Sequence, residues 1–446
     1  MRENGASMRV VLCLVVLSGA AAGSMSAQQA VLLRLSLDEA RRMAVEASYR
    51  LAELRAFAAA ADATADERAA EKRPIVDAQA SYVRTRHVTP FVVIGAPGGL
   101  QTLYPDVPNN YTTGIDLQWP IYNGGRTDAL ERAARAEASA AAADVVAAQG
   151  DLRLEVTRAF WAVVTAQSAT DVLRESVARA QAHVAEVRAR FTVGLIPPNE
   201  IASAEAQESH ERMLLIEAGN QRALTAAELA RLIGEPVNRP IEPLDLLTLP
   251  PPTVTPFDTL VTEARMNREE RRALEQRIAA ADERQDAVEA GRRPTFAITS
   301  GINLARPNPQ IFPRADRWDD FWDVSAAVGW RLWDGGRTSA EVRHAASLTD
   351  AARQRLAEFD SVLALEVRQR MLELDSGLAA VNAADDAVRA ATEAQRVVAE
   401  RYRAGVISQT DALDANVDLL QAALGRTRAI AGVRLAEARL ERALGR

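Results

Sequence analysis

The chain contains itself twice. Trp119 recurs as Trp330, Gly124-Gly125-Arg126-Thr127 as Gly335-Gly336-Arg337-Thr338, Leu154-Glu155-Val156 as Leu365-Glu366-Val367, and Gly194 as Gly405, always 211 residues apart. The correspondence runs on to Gly234 and Gly445. Turn glycines, strand aromatics and helical hydrophobics all keep register, which means one structural unit used twice. The 446 residues then divide into a leader at 1–27, a first copy at 28–240, a proline-rich linker at 241–256 and a second copy at 257–446.

The N-terminus carries Arg2 and Arg9, an apolar run from Val10 to Leu17, and small residues from Gly19 to Ala27. This is the order of a secretory signal, with cleavage after Ala22 or Ala27. Cys13 is the only cysteine and lies inside the apolar run, so a processed chain would have no thiol chemistry. The formal charge is -7, Lys72 is the only lysine, and no basic stripe marks a nucleic-acid surface. After residue 27 no run of 18 or more apolar residues occurs, so any membrane crossing would fall to strands.

Each copy reads in the same order. A helical stretch (36–73; 257–293) stops at Pro74 or Pro294, as proline requires. Two β-like segments follow, at 75–84 and 111–122 in the first copy and at 295–304 and 322–333 in the second, with a loop rich in Pro, Gly and Asn between them. Tyr111, Thr113, Ile115, Leu117, Trp119 and Ile121 alternate with Gly114, Asp116 and Gln118, and Trp322, Val324, Ala326, Val328, Trp330 and Leu332 with Ser325, Gly329 and Arg331. Aromatics make up 5% of the chain, yet Trp119, Trp318, Trp322, Trp330 and Trp333 cluster in or beside these strands. Alternation over about ten residues with aromatic margins is the pattern of transmembrane strands between interfacial girdles. Tyr111, Trp119, Trp322, Trp330 and Trp333 are the expected girdle residues.

Behind Asn123-Gly124-Gly125 and Asp334-Gly335-Gly336, a turn signal, a long Ala- and Arg-rich stretch runs to Gly194 or Gly405. Met371, Leu374, Leu378, Val381 and Val388 are spaced 3, 4, 3 and 7, a coiled-coil seam. At 1.5 Å per residue such a helix extends about 100 Å, more than a globular domain needs. A returning helix of about 40 residues follows each tip. The first return and the helix opening the second copy together match one long helix in length. They are expected to stack end to end, with the linker bulging out where they meet and the N-terminal helix pairing with the C-terminal one.

The segments Trp119 to Arg126 and Trp330 to Arg337, with the tips Phe191 to Ile196 and Tyr402 to Ile407, make the chain resemble the TolC family of outer-membrane efflux proteins. The resemblance covers essentially everything after the leader, including a helical C-terminus at Arg446. It implies a mainly α fold with a membrane β-barrel portion, in which each protomer gives four strands to a trimeric twelve-stranded barrel continued by a periplasmic α-helical barrel. Four strands cannot close a barrel, so oligomerisation follows on physical grounds, while the number three comes from the resemblance.

Asp411 and Asp414 stand at i and i+3 just past the second tip, on one helix face. Crowded in the narrow end of a tube, such carboxylates repel, raise one another's pKa and favour cations. The resemblance implies that they line the periplasmic aperture, with Tyr402, Glu200 and Asn199 at the polar links that keep it closed. Asn199 stands where a threonine is usual, and Ile407 where some members carry an arginine. The apolar tips, Val193, Gly194, Leu195 and Ile196 with Ala404, Gly405, Val406 and Ile407, suggest a docking surface. The resemblance implies a periplasmic adaptor there and an inner-membrane transporter beyond it.

Catalysis finds no support. His87, His183, His210 and His344 are scattered, no motif marks a metal site, and no phosphate-binding glycine loop occurs. No cofactor is expected. The leading expectation is an exit duct in the outer membrane, serving an efflux pump or a type I secretion system. The alternative is a secreted or periplasmic coiled-coil structural protein.

Overall fold

The computed structural model describes residues 32–95, 98–250 and 255–446. The expected leader, Cys13 and the linker prolines Pro251 and Pro252 lie outside them. Two helices of 67 residues, α3 (Arg126–Thr192) and α7 (Arg337–Arg403), dominate the molecule. Each returns through a 35-residue partner, α4 (Pro198–Leu232) or α8 (Gln409–Ala443).

Local sequence sets these boundaries. Gly124 and Gly125, like Gly335 and Gly336, hold positive φ between 67° and 88°, a turn open to glycine. The residue ahead of each pair then caps the helix: the Thr127 amide donates to Asn123 Oδ1 at 3.2 Å and the Thr338 amide to Asp334 Oδ2 at 2.9 Å. Hydrogen bonds from Thr338, through its side chain first and then its amide, hold the Asp334 carboxyl down at about 2. Lys72 at the end of the preceding helix pairs with both Asp128 and Glu131, closing the same corner of the first copy. At the far ends, Gly194 and Gly405 adopt φ of 77° and 72°, and the amides of Leu195 and Val406 close on the carbonyls of Arg190 and Arg401 at 3.0 Å.

Four antiparallel strands form one open sheet in the order β2 (Ile75–Arg84), β5 (Asn109–Asn123), β7 (Thr295–Arg306) and β8 (Asp319–Gly329). One face carries Val76, Ile115, Ile302, Trp322 and Val324, all exposed. The opposite face carries Asp77, Gln79, Asp116, Asn303 and Asp323. Tyr82, Tyr111 and Trp318 stack at one end of the apolar face (5.0 and 5.9 Å between ring centroids), and Tyr122 meets Phe296 at the other at 6.1 Å. Among the described residues no helix is long and apolar enough to cross a membrane.

Several details depart from the alternation read in the sequence. Ile121 falls in a bulge, so that Tyr122 rather than Ile121 faces the next strand. Strand β8 stops at Gly329, four residues before the expected end, and Trp330 turns aside to donate its indole N–H to the Arg292 carbonyl at 3.1 Å. Trp330 and Trp333 therefore sit exposed beyond the strand rather than within it. The loop between β2 and β5 holds a hairpin of its own, β3 (Phe91–Ile94) with β4 (Leu100–Tyr104). The helices before the strands start 220 residues apart, at Tyr49 and Glu269, whereas α3 and α7 start 211 apart. The first copy spends its extra nine residues, the difference of 220 and 211, on the loop between β2 and β5.

Both helices expected to be continuous before the strands are broken. Ser48 splits α1 (Leu37–Ala47) from α2 (Tyr49–Ala70), and Arg268 splits α5 (Phe257–Asn267) from α6 (Glu269–Glu289), each in extended conformation. Ser48 caps α2 through the Leu51 amide. Arg268 is almost fully buried and pairs with Glu270 at 2.9 Å and Glu366 at 3.1 Å. Its guanidinium also reaches the last carbonyls of α8, Arg442 and Ala443, at 3.4 Å.

The end-to-end stacking is within each copy, not across the linker as the lengths suggested. Gly234, closing α4, abuts Ala47, and Gly445, closing α8, abuts Asn267, so α4 continues into α2 and α8 into α6. Burial decides the pairing. Leu51, Phe160, Leu229, Ile233 and Ile241 share one core, and Leu260, Val261, Leu363, Val367 and Leu444 share a second. The opening of the linker does not bulge away: β6 (Ile241–Pro243) pairs in parallel with β1 (Leu33–Leu35) over the first core.

The protomer is a wall one helix thick. The α2/α4 column packs on α3, α3 on the α6/α8 column, and that column on α7. Among the described residues, its two edges, the α2/α4 column with β2 and α7 with β8, have no further column or strand beside them.

Candidate functional site: the narrow end of the helical hairpins

The tips present Val193, Leu195 and Val406 at 69%, 73% and 64% exposure. Ile196 is half-buried against Val184, Val187 and Ala204, so it braces the first hairpin more than it presents a surface. Pro197 and Pro198 start α4 without a side-chain cap. The second hairpin is built differently: Ser408 Oγ accepts the Asp411 amide while Asp411 Oδ2 accepts the Ser408 amide at 3.1 Å and its hydroxyl at 2.7 Å, a reciprocal cap.

Asp411 thus has a structural duty beside any charge it offers. Asp414 is exposed on the same face, and Asp418 one turn further extends the row to three carboxylates. Asp418 was legible only as the i+4 neighbour of Asp414.

The structure brings Tyr402 and Glu200 to the junction of the two hairpins, but not into contact through their polar atoms. The Tyr402 hydroxyl is buried with no hydrogen-bond partner. Burial raises its pKa, which keeps it a phenol. Glu200 contributes its backbone carbonyl, which accepts from Gln409 Nε2 at 2.8 Å. Asn199 is exposed in the first turn of α4, and Ile407 is half-buried at the second tip.

The side chains that join the hairpins were not singled out from sequence. Arg190 donates through Nη1 to the Tyr402 carbonyl at 3.0 Å, lies 4.4 Å over the Tyr402 ring, and pairs with Glu186 at 2.8 Å. His183, one and two turns before these residues, places its ring 5.5 Å from that of Tyr402. Its only sequence signal was that it lies on the seam of α3, next to the buried Val184. Burial lowers the His183 pKa, Arg190 adds to that, and Glu186 and Glu200 oppose it.

With this geometry in view, comparison with known proteins is decisive. The family described as outer membrane efflux protein matches residues 40–235 and 260–446. The chain belongs to the outer membrane efflux protein family. Each matched segment falls within one of the two copies. Protein CyaE of Bordetella pertussis is 27% identical over 267 residues, a match spanning 56% of this chain and about half, 54%, of that protein. The outer-membrane channel OprN superposes with a TM-score of 0.75 at 19% identity, covering 92% of this chain and 89% of its own. VceC of Vibrio cholerae gives 0.73 at 18% identity, covering 92% and 96%. These likenesses show the fold: mainly helical, with one four-stranded sheet per chain. The family match places this chain among outer membrane efflux proteins.

Proposed function

We propose that this outer membrane efflux protein is the exit duct of a tripartite efflux pump or a type I secretion system, closed into a ring by three copies. The observation that carries the reading is the wall with two bare edges. Strands β2 and β8 each leave a row of backbone groups unpaired, which hydrocarbon does not tolerate. The bare side of α7 exposes Leu348, Val362, Leu365 and Leu372, and the opposite edge exposes Phe57, Met213, Ile216 and Leu224. Unlike edges that meet head to tail generate a ring when the rotation closes. The sheet's polar face then lines a wet lumen and its apolar face meets lipid.

In such a ring the carboxylates of Asp411 and Asp414 approach their symmetry mates and set a cation-favouring constriction, with Tyr402, Glu200 and Asn199 at the joints. Val193 to Ile196 and Ala404 to Ile407 form the periplasmic docking end for an adaptor that links the duct to an inner-membrane transporter. Native mass measurement in detergent tests the ring: a trimer is expected, and a stable monomer sinks it. Topology is tested by cysteine labelling of intact cells, where Gly98→Cys should react with an impermeant reagent and Leu195→Cys should not. Release of the protein without detergent would favour the coiled-coil structural alternative.

A further inference from the structure

The junction of the two hairpins contains a histidine, His183. We propose that His183 is a proton-operated latch between the two hairpins: neutral, its ring fills the junction against Tyr402, and protonated, it drives the α3–α4 and α7–α8 hairpins apart at the narrow end of the tube. The inference rests on the duct reading for its consequence, not for its chemistry.

The junction is weakly held. Near the tips, among the described residues, the hydrogen bonds between the hairpins are Arg190 to the Tyr402 carbonyl and Gln409 to the Glu200 carbonyl. Against them stand four buried polar atoms without partners: Arg179 Nε, His183 Nε2, Tyr402 Oη and Gln409 Oε1. Each such atom gives up its water and gains nothing in return. A cavity of about 190 Å³ lies between the hairpins, lined by Arg179, His183, Glu186, Tyr402, Arg403 and Asn416 among others. Parting the hairpins would rehydrate these four atoms at the loss of two hydrogen bonds and the contact of Arg190 with the Tyr402 ring.

Burial sets the direction of the response, and the charges around the ring modulate it. From α3 it faces Arg179, Glu186 and Arg190, from α4 Glu200, from α7 Arg403, and from α8 the neutral Ala412 and Asn416. A proton taken up at the imidazole adds a cation among three arginines and beside the Arg190 guanidinium already seated on Tyr402. Arg190 opposes that charge, while Glu186, acting more strongly than Arg190, and Glu200 favour it. Burial is the largest influence and disfavours the charged ring while the hairpins are together. Once they part, the ring meets water and returns to its ordinary pKa near 6.5. Below that pH the parted form binds the proton more tightly, so falling pH favours parting, and the effect levels off when the closed form also protonates. One such group changes the ratio of parted to closed forms by at most about tenfold per pH unit in that window.

The experiment is amide hydrogen exchange on the full-length protein in detergent at pH 7.5 and 5.5, corrected for intrinsic exchange, comparing wild type with His183→Gln and His183→Arg. Expected is a rise of up to about tenfold in opening at both tips of the wild type, absent in His183→Gln, with His183→Arg already at the low-pH level at pH 7.5. Wild-type tips that do not respond to pH overturn the latch, and so does a response that survives in His183→Gln. Should a variant fail to assemble, the wild-type titration still decides: a midpoint below about 6.5 confined to the tips supports the latch, and a flat profile or a response spread along the helices overturns it. Potassium current through planar bilayers is the second arm. Exchange that responds to pH with no channel activity at either pH faults the duct reading and leaves the latch standing.

Discussion

The two long helices have the same length and end in the same turns, yet they live in different surroundings. Helix α3 is buried along its whole length, from Ala129 and Ala140 through Phe160 and Val163 to Val187. Helix α7 buries only Thr338, Thr349, Leu363, Val367, Val381 and Tyr402. The difference is one of place in the wall, since α3 has a column on either side and α7 has one. Duplication supplies equal parts, and the edges of the assembly make them unequal. What α7 lacks is what the proposed ring would supply.

The sharpest break of this comparison lies at Phe160 and its counterpart Met371. Phe160 is fully buried against α1 and α4, so Phe160→Ala is expected to cost about 3–5 kcal/mol. Met371 is partly buried against the second core, and Met371→Ala should cost about 2 kcal/mol. Thermal unfolding of the detergent-solubilised protein reads both; equal losses would mean that α7 is as enclosed as α3 in the assembly. Next, Leu365→Glu on the bare side of α7, 58% exposed, should leave secondary structure intact and abolish the trimer in native mass measurement. Retained trimers would move the contact elsewhere.

At the tips, Asp411→Asn with Asp414→Asn should lower cation selectivity and relieve block by multivalent cations added from the periplasmic side, read in planar bilayers. Unchanged selectivity and block would make these carboxylates ordinary solvated charges. The smallest effect belongs to the cap that the first hairpin lacks: Ser408→Ala removes the reciprocal bond with Asp411 and should cost about 1 kcal/mol, seen as faster amide exchange in the first turn of α8 only. No change there would mean that packing, not the cap, holds that turn.

The repeat, the four strands and the glycine turns were legible because each rests on local chemistry: register, alternation and positive φ. The hairpin in the loop between β2 and β5 also had its signal, Gly98-Gly99 between Phe91 to Ile94 and Leu100 to Tyr104, hidden by a loop rich in turn residues. The helix break at Arg268 had none, because a buried guanidinium reaching the end of another helix is a tertiary event. The stacking partners were misjudged for the same reason. Lengths say which columns can be equal, but only the contact of Gly234 with Ala47, and of Gly445 with Asn267, says which ends meet. At the site, Asp411 and Tyr402 could be found from the tips, whereas His183 and Arg190 matter through neighbours more than 200 positions away.

Equal helices of 67 residues, each starting behind the same glycine turn, make the two hairpins legs of one height. Both tips therefore lie at the same distance from the sheet. One extra helical turn in α3 and α4 alone would lower one foot by about 5.4 Å, leaving the other short of any flat surface that both must touch. The loop between β2 and β5 bears no such load, and it is there that the copies differ in length.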